Sequence, residues 1–229
     1  MSTTWREIYR KIVHVALSLL LFAPFYFKLP PPLNPYSYYS LGLFLAAFIN
    51  SVVVKKDKLT LEINALRDEL HRFADSIGDI AKMPISILEE ILTDFHSFVE
   101  KQLSLLERDY EKREGYVGLL YGIIGATSSL LVDPSHAFYG IVALAVVDVL
   151  ASMSSLLIWN KGKTMGGEAI AFLSFAIILM SLGVPVLQSI LVSAVATLSE
   201  YFSPEDNLTV PFFTTIAAFS LKLPERHPL

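Results

Sequence analysis

Apolar runs long enough to approach the width of a bilayer, broken by short turns and by one long charged block, recur along most of this chain and restrict what it can fold into. A membrane span takes roughly 20 apolar residues, and about seven runs approach that length here. They cover residues 12–27, 36–54, 115–132, 138–159, 169–182, 184–202 and 208–221. Leu29-Pro30-Pro31-Pro32 ends the first, because proline cannot continue a helical hydrogen-bond ladder. Its positive flank (Arg6, Arg10, Lys11) resembles a leader, yet no small-x-small cleavage site precedes the prolines, so it reads as a retained helix. The expected fold is all-α: a polytopic membrane bundle of about seven spans.

Composition agrees once it is split by position. The chain of 229 residues is 53% hydrophobic and only 17% charged, with a mean hydropathy of +0.52. Residues 55–114 alone hold 10 of the 18 Lys+Arg and 14 of the 22 Asp+Glu. A charge of −4 offers nucleic acid no general attraction, and the absence of cysteine removes thiol catalysis and cysteine–metal sites. It also fits the plasma membrane of a thermophilic prokaryote, archaeal ones included.

The charged block carries its own pattern. Leu59, Ile63, Leu66, Leu70, Phe73, Ile77 and Ile80 alternate steps of four and three, and Leu88, Ile91, Phe95, Phe98, Gln102 and Leu105 repeat this after Met83-Pro84. A cytosolic helical hairpin is expected, its seams packed on each other or, through 57–112, on a second copy as a homodimer. The chain thus divides into two N-terminal spans (1–54), the hairpin (55–114) and the C-terminal spans (115–229).

With the N-terminus inside, fifteen basic residues fall on inner segments, and only Lys28, Lys222 and Arg226 lie outside. A short list of polar and charged residues within or beside the spans falls on, or opens toward, that same inner side: Arg10, Lys11 and His14; Asp148; Lys161, Lys163, Thr164 and Gly166-Gly167-Glu168; Glu200; Asp206 and Asn207. Each has a plainer reading, as an anchor, a turn or solvated loop. Asp148 resists it, because a carboxylate flanked by Val and Ala must find a cation, a proton or a metal. Carboxylates mixed with Lys and Arg suit phosphate transfer from a nucleotide, with hard oxygen ligands for Mg²⁺ and cations for the phosphates. No Walker-type glycine-lysine loop, zinc pattern or Ser-His-Asp arrangement competes.

In order along the chain, Glu7-x-x-Arg10-Lys11-x-x-His14, Arg113-Glu114-Gly115, Asp148-x-x-Ala151-Ser152, Lys163-Thr164-x-x-Gly167 and Glu200…Asp206-Asn207-Leu208-Thr209-Val210-Pro211 resemble the motifs of the polyprenol kinases. These are CTP-dependent dolichol, phytol and related lipid-alcohol kinases, similar in turn to membrane cytidylyltransferases. Two positions depart from the pattern: Ser155 stands where a glycine is expected, and Gly166 replaces the acid before Gly167, with Glu168 on the other side.

The resemblance implies an integral membrane kinase that phosphorylates a long-chain isoprenoid alcohol with CTP and Mg²⁺ at the cytosolic face. It implies Asp148, Lys163, Asp206 and His14 as catalytic residues and Arg10, Lys11, Lys161, Thr164, Gly167 and Asn207 as nucleotide-binding ones. Asp148, Glu200 and Asp206 would hold the metal. The alternatives are cytidylyl transfer, diacylglycerol phosphorylation, or a non-enzymatic membrane scaffold or transporter.

Overall fold

The computed structural model describes residues 3–54, Glu69, Arg72 and 117–229. The expected hairpin, its dimer seam and the Arg113-Glu114-Gly115 motif therefore lie outside the described residues, Glu69 and Arg72 excepted. The helices are α1 (Thr3–Leu21), α2 (Ala23–Tyr26), α3 (Pro35–Val54), α4 (Val117–Val132), α5 (Ala137–Trp159), α6 (Met165–Ser181), α7 (Val186–Phe202) and α8 (Asp206–Ser220). No strand occurs among the described residues, so the chain is all-helical there. Residues 1–47 and 117–229 form one compact unit, joining segments that the sequence sets apart, and residues 48–116 form a second.

Local chemistry explains most boundaries. Asn34 opens α3: its Oδ1 accepts the Ser37 N–H at 2.9 Å, while the Ser37 hydroxyl accepts the Asn34 N–H at 2.8 Å. Helix α5 ends on Asn160 at φ 52°, ψ 39°, a left-handed conformation that Asn tolerates better than most side chains. Thr164 caps α6, its hydroxyl accepting the Gly167 N–H at 3.0 Å. That cap starts the helix several residues before the apolar run at Ala169 and carries Glu168 into its first turn.

Helix α5 is the hub. It packs on α1, α4, α6, α7 and α8, and α8 also lies against α4 and α7. Close approach depends on glycine at two crossings. A Cβ at Gly140 would stand 2.3 Å from both the Pro211 carbonyl oxygen and Thr215 Oγ1, and one at Gly125 would meet Pro211 Cγ at 2.7 Å. Ser129, Ser189, Ser193, Thr197, Thr214 and Thr215 are buried, whereas Leu157, Ile158, Leu173, Ile177, Leu187 and Phe202 are exposed. Hydroxyl side chains thus share the interior with large apolar ones such as Tyr139, Phe175, Leu130 and Ile141, while further large apolar residues cover the outside.

Helix α5, at 23 residues with a window hydropathy of 2.4, is the one described helix both long and apolar enough to cross a membrane by length and composition. The stretches Lys11–Leu21, Gly118–Val132, Met165–Ser181 and Val186–Phe202 are apolar but shorter.

The end of the unit holding the α4–α5 and α6–α7 turns is closed by the C-terminal segment. The Arg226 N–H donates to the Ser135 carbonyl at 2.9 Å and its guanidinium to the Leu182 carbonyl at 3.0 Å, while the Leu229 N–H reaches the Pro24 carbonyl at 2.7 Å. His136 faces an acceptor from each ring nitrogen, Asp133 Oδ1 at 2.8 Å and the Leu223 carbonyl at 3.0 Å. Burial pushes the Asp133 carboxyl up, but hydrogen bonds from Ser135 and His136 outweigh it and hold the group below its ordinary value.

The Gly140 contact yields a direct check. Gly140→Ala must displace backbone and is expected to cost about 1–3 kcal/mol. Gly122→Ala, where a Cβ meets nothing within 4 Å, should be nearly silent. Thermal unfolding of the two variants in detergent separates them.

Candidate active site

Midway along α5, Asp148 is 4% exposed, and the Lys11 ammonium from α1 meets both its oxygens, at 2.7 and 2.8 Å. Lys11 itself is 7% exposed. One turn along α1, His14 Nε2 lies 3.0 Å from the Leu144 carbonyl and 3.6 Å from Asp148 Oδ2. A carbonyl oxygen can only accept, so Nε2 carries the hydrogen, and proton uptake by His14 would have to use Nδ1.

The second half of the site comes from two turns. Lys163, in the α5–α6 turn, donates to the Glu200 main-chain oxygen at 2.8 Å. The same ammonium lies 3.0 Å from Glu200 Oε1, a charge contact without hydrogen-bond alignment, and 3.5 Å from Asp206 Oδ2. Burial works to lower the Lys163 pKa, but the carboxylates of Glu200, Asp206 and Asp148 more than offset it and hold the group above the ordinary lysine value. Glu200 is fully buried near the end of α7, and Asp206 opens α8. One oxygen each from Asp148, Glu200 and Asp206 lie within 4.8 Å of one another.

Residues 137 positions apart in sequence therefore meet. Of the residues expected from the sequence, Lys11, His14, Asp148, Lys163, Glu200 and Asp206 come together. Asn207 is adjacent: its N–H donates to Asp206 Oδ1 at 2.8 Å, and its buried Oδ1 accepts no hydrogen bond. Thr164 and Gly167 also do structural tasks. The Thr164 hydroxyl caps α6 and lies 2.9 Å from Ser155 Oγ, while a Cβ on Gly167 would meet that oxygen at 2.1 Å. Ser155, which stands where the motif has a glycine, is thus what ties the α6 N-terminus to α5. Lys161 is exposed in the turn. Arg10 precedes Lys11 on α1, and its side chain lies outside the described part.

The sequence reading placed Glu168 on the inner side but gave it no role in the site. Its carboxyl lies beside that of Glu200 and within electrostatic reach of Lys163 and Asp148. The signal was the Thr164 cap, which places residue 168 in the first helical turn rather than in a loop. The carboxyl groups of Asp148, Glu168, Glu200 and Asp206 thus gather with the ammonium groups of Lys11 and Lys163, and Glu168 and Glu200 share a hydrogen bond. The oxygens of Asp148, Glu200 and Asp206 are of the hard type that a divalent cation prefers.

No family model matches this chain, and no curated protein and no solved structure does either.

The buried ion pair gives a test. Lys11→Met strands the Asp148 carboxylate, and losing one partner of a buried pair typically costs about 3–5 kcal/mol. Lys11→Met combined with Asp148→Leu should recover much of that loss. Thermal unfolding of the single and double variants reads out the coupling.

Proposed function

We propose that this chain is a polytopic membrane phosphotransferase that moves the γ-phosphoryl group of CTP to the hydroxyl of a long-chain isoprenoid alcohol. The single observation that carries the reading is the convergence of Asp148, Glu200 and Asp206 on Lys163 inside an otherwise apolar body. Phosphoryl transfer asks the protein mainly for positioning and charge neutralisation, and this donor set fits both. The choice of CTP and of an isoprenoid alcohol follows the motif resemblance.

The membrane reading draws on the packing. Soluble monomers rarely expose apolar patches larger than a few hundred Å², whereas many large apolar residues are exposed here and hydroxyl side chains are buried between the helices, which suits helices packed within lipid. Helices α6 and α7, 17 residues each, lie at the short end of the spanning range of about 17–25. Alternation through short turns puts the Lys163 turn and the N-terminal part of α1 on the cytosolic side, at the plasma membrane of a prokaryote.

Mg²⁺ fits the residues present, because one oxygen each of Asp148, Glu200 and Asp206 lie within 4.8 Å of one another and the buried Asn207 Oδ1 beside them accepts no hydrogen bond among the described residues. Glu200, Asp206 and Asp148 would hold it, and when bound it would supply charge neutralisation at the β- and γ-phosphates. Lys163, 39% exposed in its side chain, meets the phosphates from the open side of the site. Lys11 fixes the Asp148 carboxylate in one orientation. The alcohol enters from the bilayer, since only its hydroxyl has to reach the site. A bond forms between its oxygen and the γ-phosphorus, the bond to the CDP oxygen breaks, and the hydroxyl proton passes to a base, for which Asp148 and His14 through Nδ1 are the two candidates.

Purified protein in detergent, given nucleotides labelled at the γ-phosphate and a mixed prenol extract, should move label from CTP into lipid and release CDP. Asp206→Asn and Lys163→Met should each lower that transfer roughly 100-fold or more, in line with the loss of one charge-stabilising group. Label that stays in the nucleotide with every alcohol contradicts the proposal, and pyrophosphate as product identifies cytidylyl transfer instead.

A further inference from the structure

Trp159 is the last residue of α5, and its indole rests on the first turn of α6. A Cβ at Gly166 would stand 2.3 Å from Trp159 Cζ2, 2.4 Å from Cη2 and 3.0 Å from Cε2. A point that close to three consecutive ring atoms lies over the face of the ring, not beyond its edge. The bare Cα of Gly166 therefore seats the indole, and any side chain at that position would push it away. This is a physical reason for a glycine where the polyprenol kinase motif has an acid.

With one face of the ring covered, Trp159 is still 42% exposed, so the exposure belongs to the other face and the rim. Lys163 lies in the same turn, its side chain 39% exposed and its ammonium beside Glu200 and Asp206. Thr164 ties that turn back to α5 through Ser155. One short connection thus fixes a flat apolar face and an exposed cation together. An aromatic that only anchors a helix at the membrane interface needs to reach the headgroup level and no more. This indole is in addition set in one orientation beside the charged site. A nucleotide divides in the same way, with a flat base at one end and phosphates at the other, and every base has a π-face that can stack on an aromatic side chain.

We infer that Trp159 is the stacking platform for the base of the nucleotide whose phosphates Lys163 receives, and that Gly166 positions the indole for it. The inference rests on the proposed phosphotransferase site and adds a base-binding residue that the motif pattern does not contain. An indole face takes cytosine and adenine alike. Trp159 therefore contributes affinity for a nucleotide over bare polyphosphate, and other groups choose between bases.

The chain has two tryptophans, Trp5 and Trp159, so Trp5→Phe leaves Trp159 as the sole indole fluorophore. That full-length protein, in detergent with Mg²⁺ and without alcohol, is titrated with CTP or with inorganic triphosphate. Emission is corrected against free tryptophan for light absorbed by the base. CTP should quench it saturably, and inorganic triphosphate should not. Equilibrium dialysis of labelled ligands then compares variants. Trp159→Ala should weaken CTP binding about tenfold, as expected for loss of one base–aromatic stack, and leave triphosphate binding within about twofold. Trp159→Phe should retain more CTP affinity than Trp159→Ala. Gly166→Ala, which keeps the indole but unseats it, should weaken binding of CTP and not of triphosphate. Thermal unfolding shows that the variants compared are folded.

CTP binding that leaves the emission unchanged and is indifferent to Trp159→Ala overturns the inference. So does equal quenching by inorganic triphosphate, which reports phosphate binding rather than a stacked base. Absence of CTP binding by the unsubstituted protein overturns the inference and the enzyme assignment together. The two otherwise separate. Trp159-dependent CTP binding in a protein that moves no phosphate leaves this inference standing and removes the kinase. Phosphate transfer from CTP with a KM unchanged by Trp159→Ala does the reverse.

Discussion

The contact between Lys11 and Asp148 sets terms for the rest of the molecule. Each side chain is more than nine-tenths buried, and each alone would be a stranded charge in an apolar helix bundle. Their pairing ties α1 to α5, and α5 is the helix on which the other described helices of the unit converge, α2 and α3 aside. A buried ion pair is weak evidence for stability in itself, since apolar groups of similar volume often replace it without loss. It is better evidence that a charge is needed at that place. Here the neighbours of Asp148 include three more carboxylates and one lysine, so the pair belongs to a larger charged site.

That site is asymmetric in its partners. Positive charge reaches Asp148 from Lys11 on one side, while Lys163 divides itself between Glu200 and Asp206 on the other. The remaining carboxyl groups are those of Glu168, Glu200 and Asp206, at the starts of α6 and α8 and near the end of α7. Short turns between antiparallel helices bring those three termini together. The opposite end of the unit is closed differently, by main-chain acceptors for Arg226 and His136 and by the Asp133 carboxylate.

Much of the fold was legible because apolar run length and proline and glycine punctuation report directly on helices. Each expected run has a helix in the same order, and the main shifts trace to identifiable side chains, such as the Thr164 cap at the start of α6. The site was legible in part for a similar reason: a carboxylate between Val147 and Val149 cannot be explained as solvated surface. Which groups pair with it was not legible, because Lys11 and Asp148 lie 137 residues apart and only the packing of α1 on α5 joins them. Gly167 was read as touching nucleotide, whereas its lack of a side chain is first required by Ser155 and the Ala151 carbonyl. Glu168 was placed on the inner side but given no role, because the helix was started at Ala169 and a glutamate in a loop has no fixed direction.

The central claim is that this helical unit spans a membrane and presents its charged turn to one side only. The chain has no native cysteine, so single cysteines report without background. Gly162, where an added side chain meets nothing within 4 Å, marks the turn beside Lys163, and exposed Glu225 marks the closed end. Gly162→Cys and Glu225→Cys proteins in sealed vesicles of known orientation can each be treated with a membrane-impermeant maleimide. The account predicts labelling of Gly162→Cys only from the cytosolic side and of Glu225→Cys only from the other. Labelling of both from the same side would contradict it.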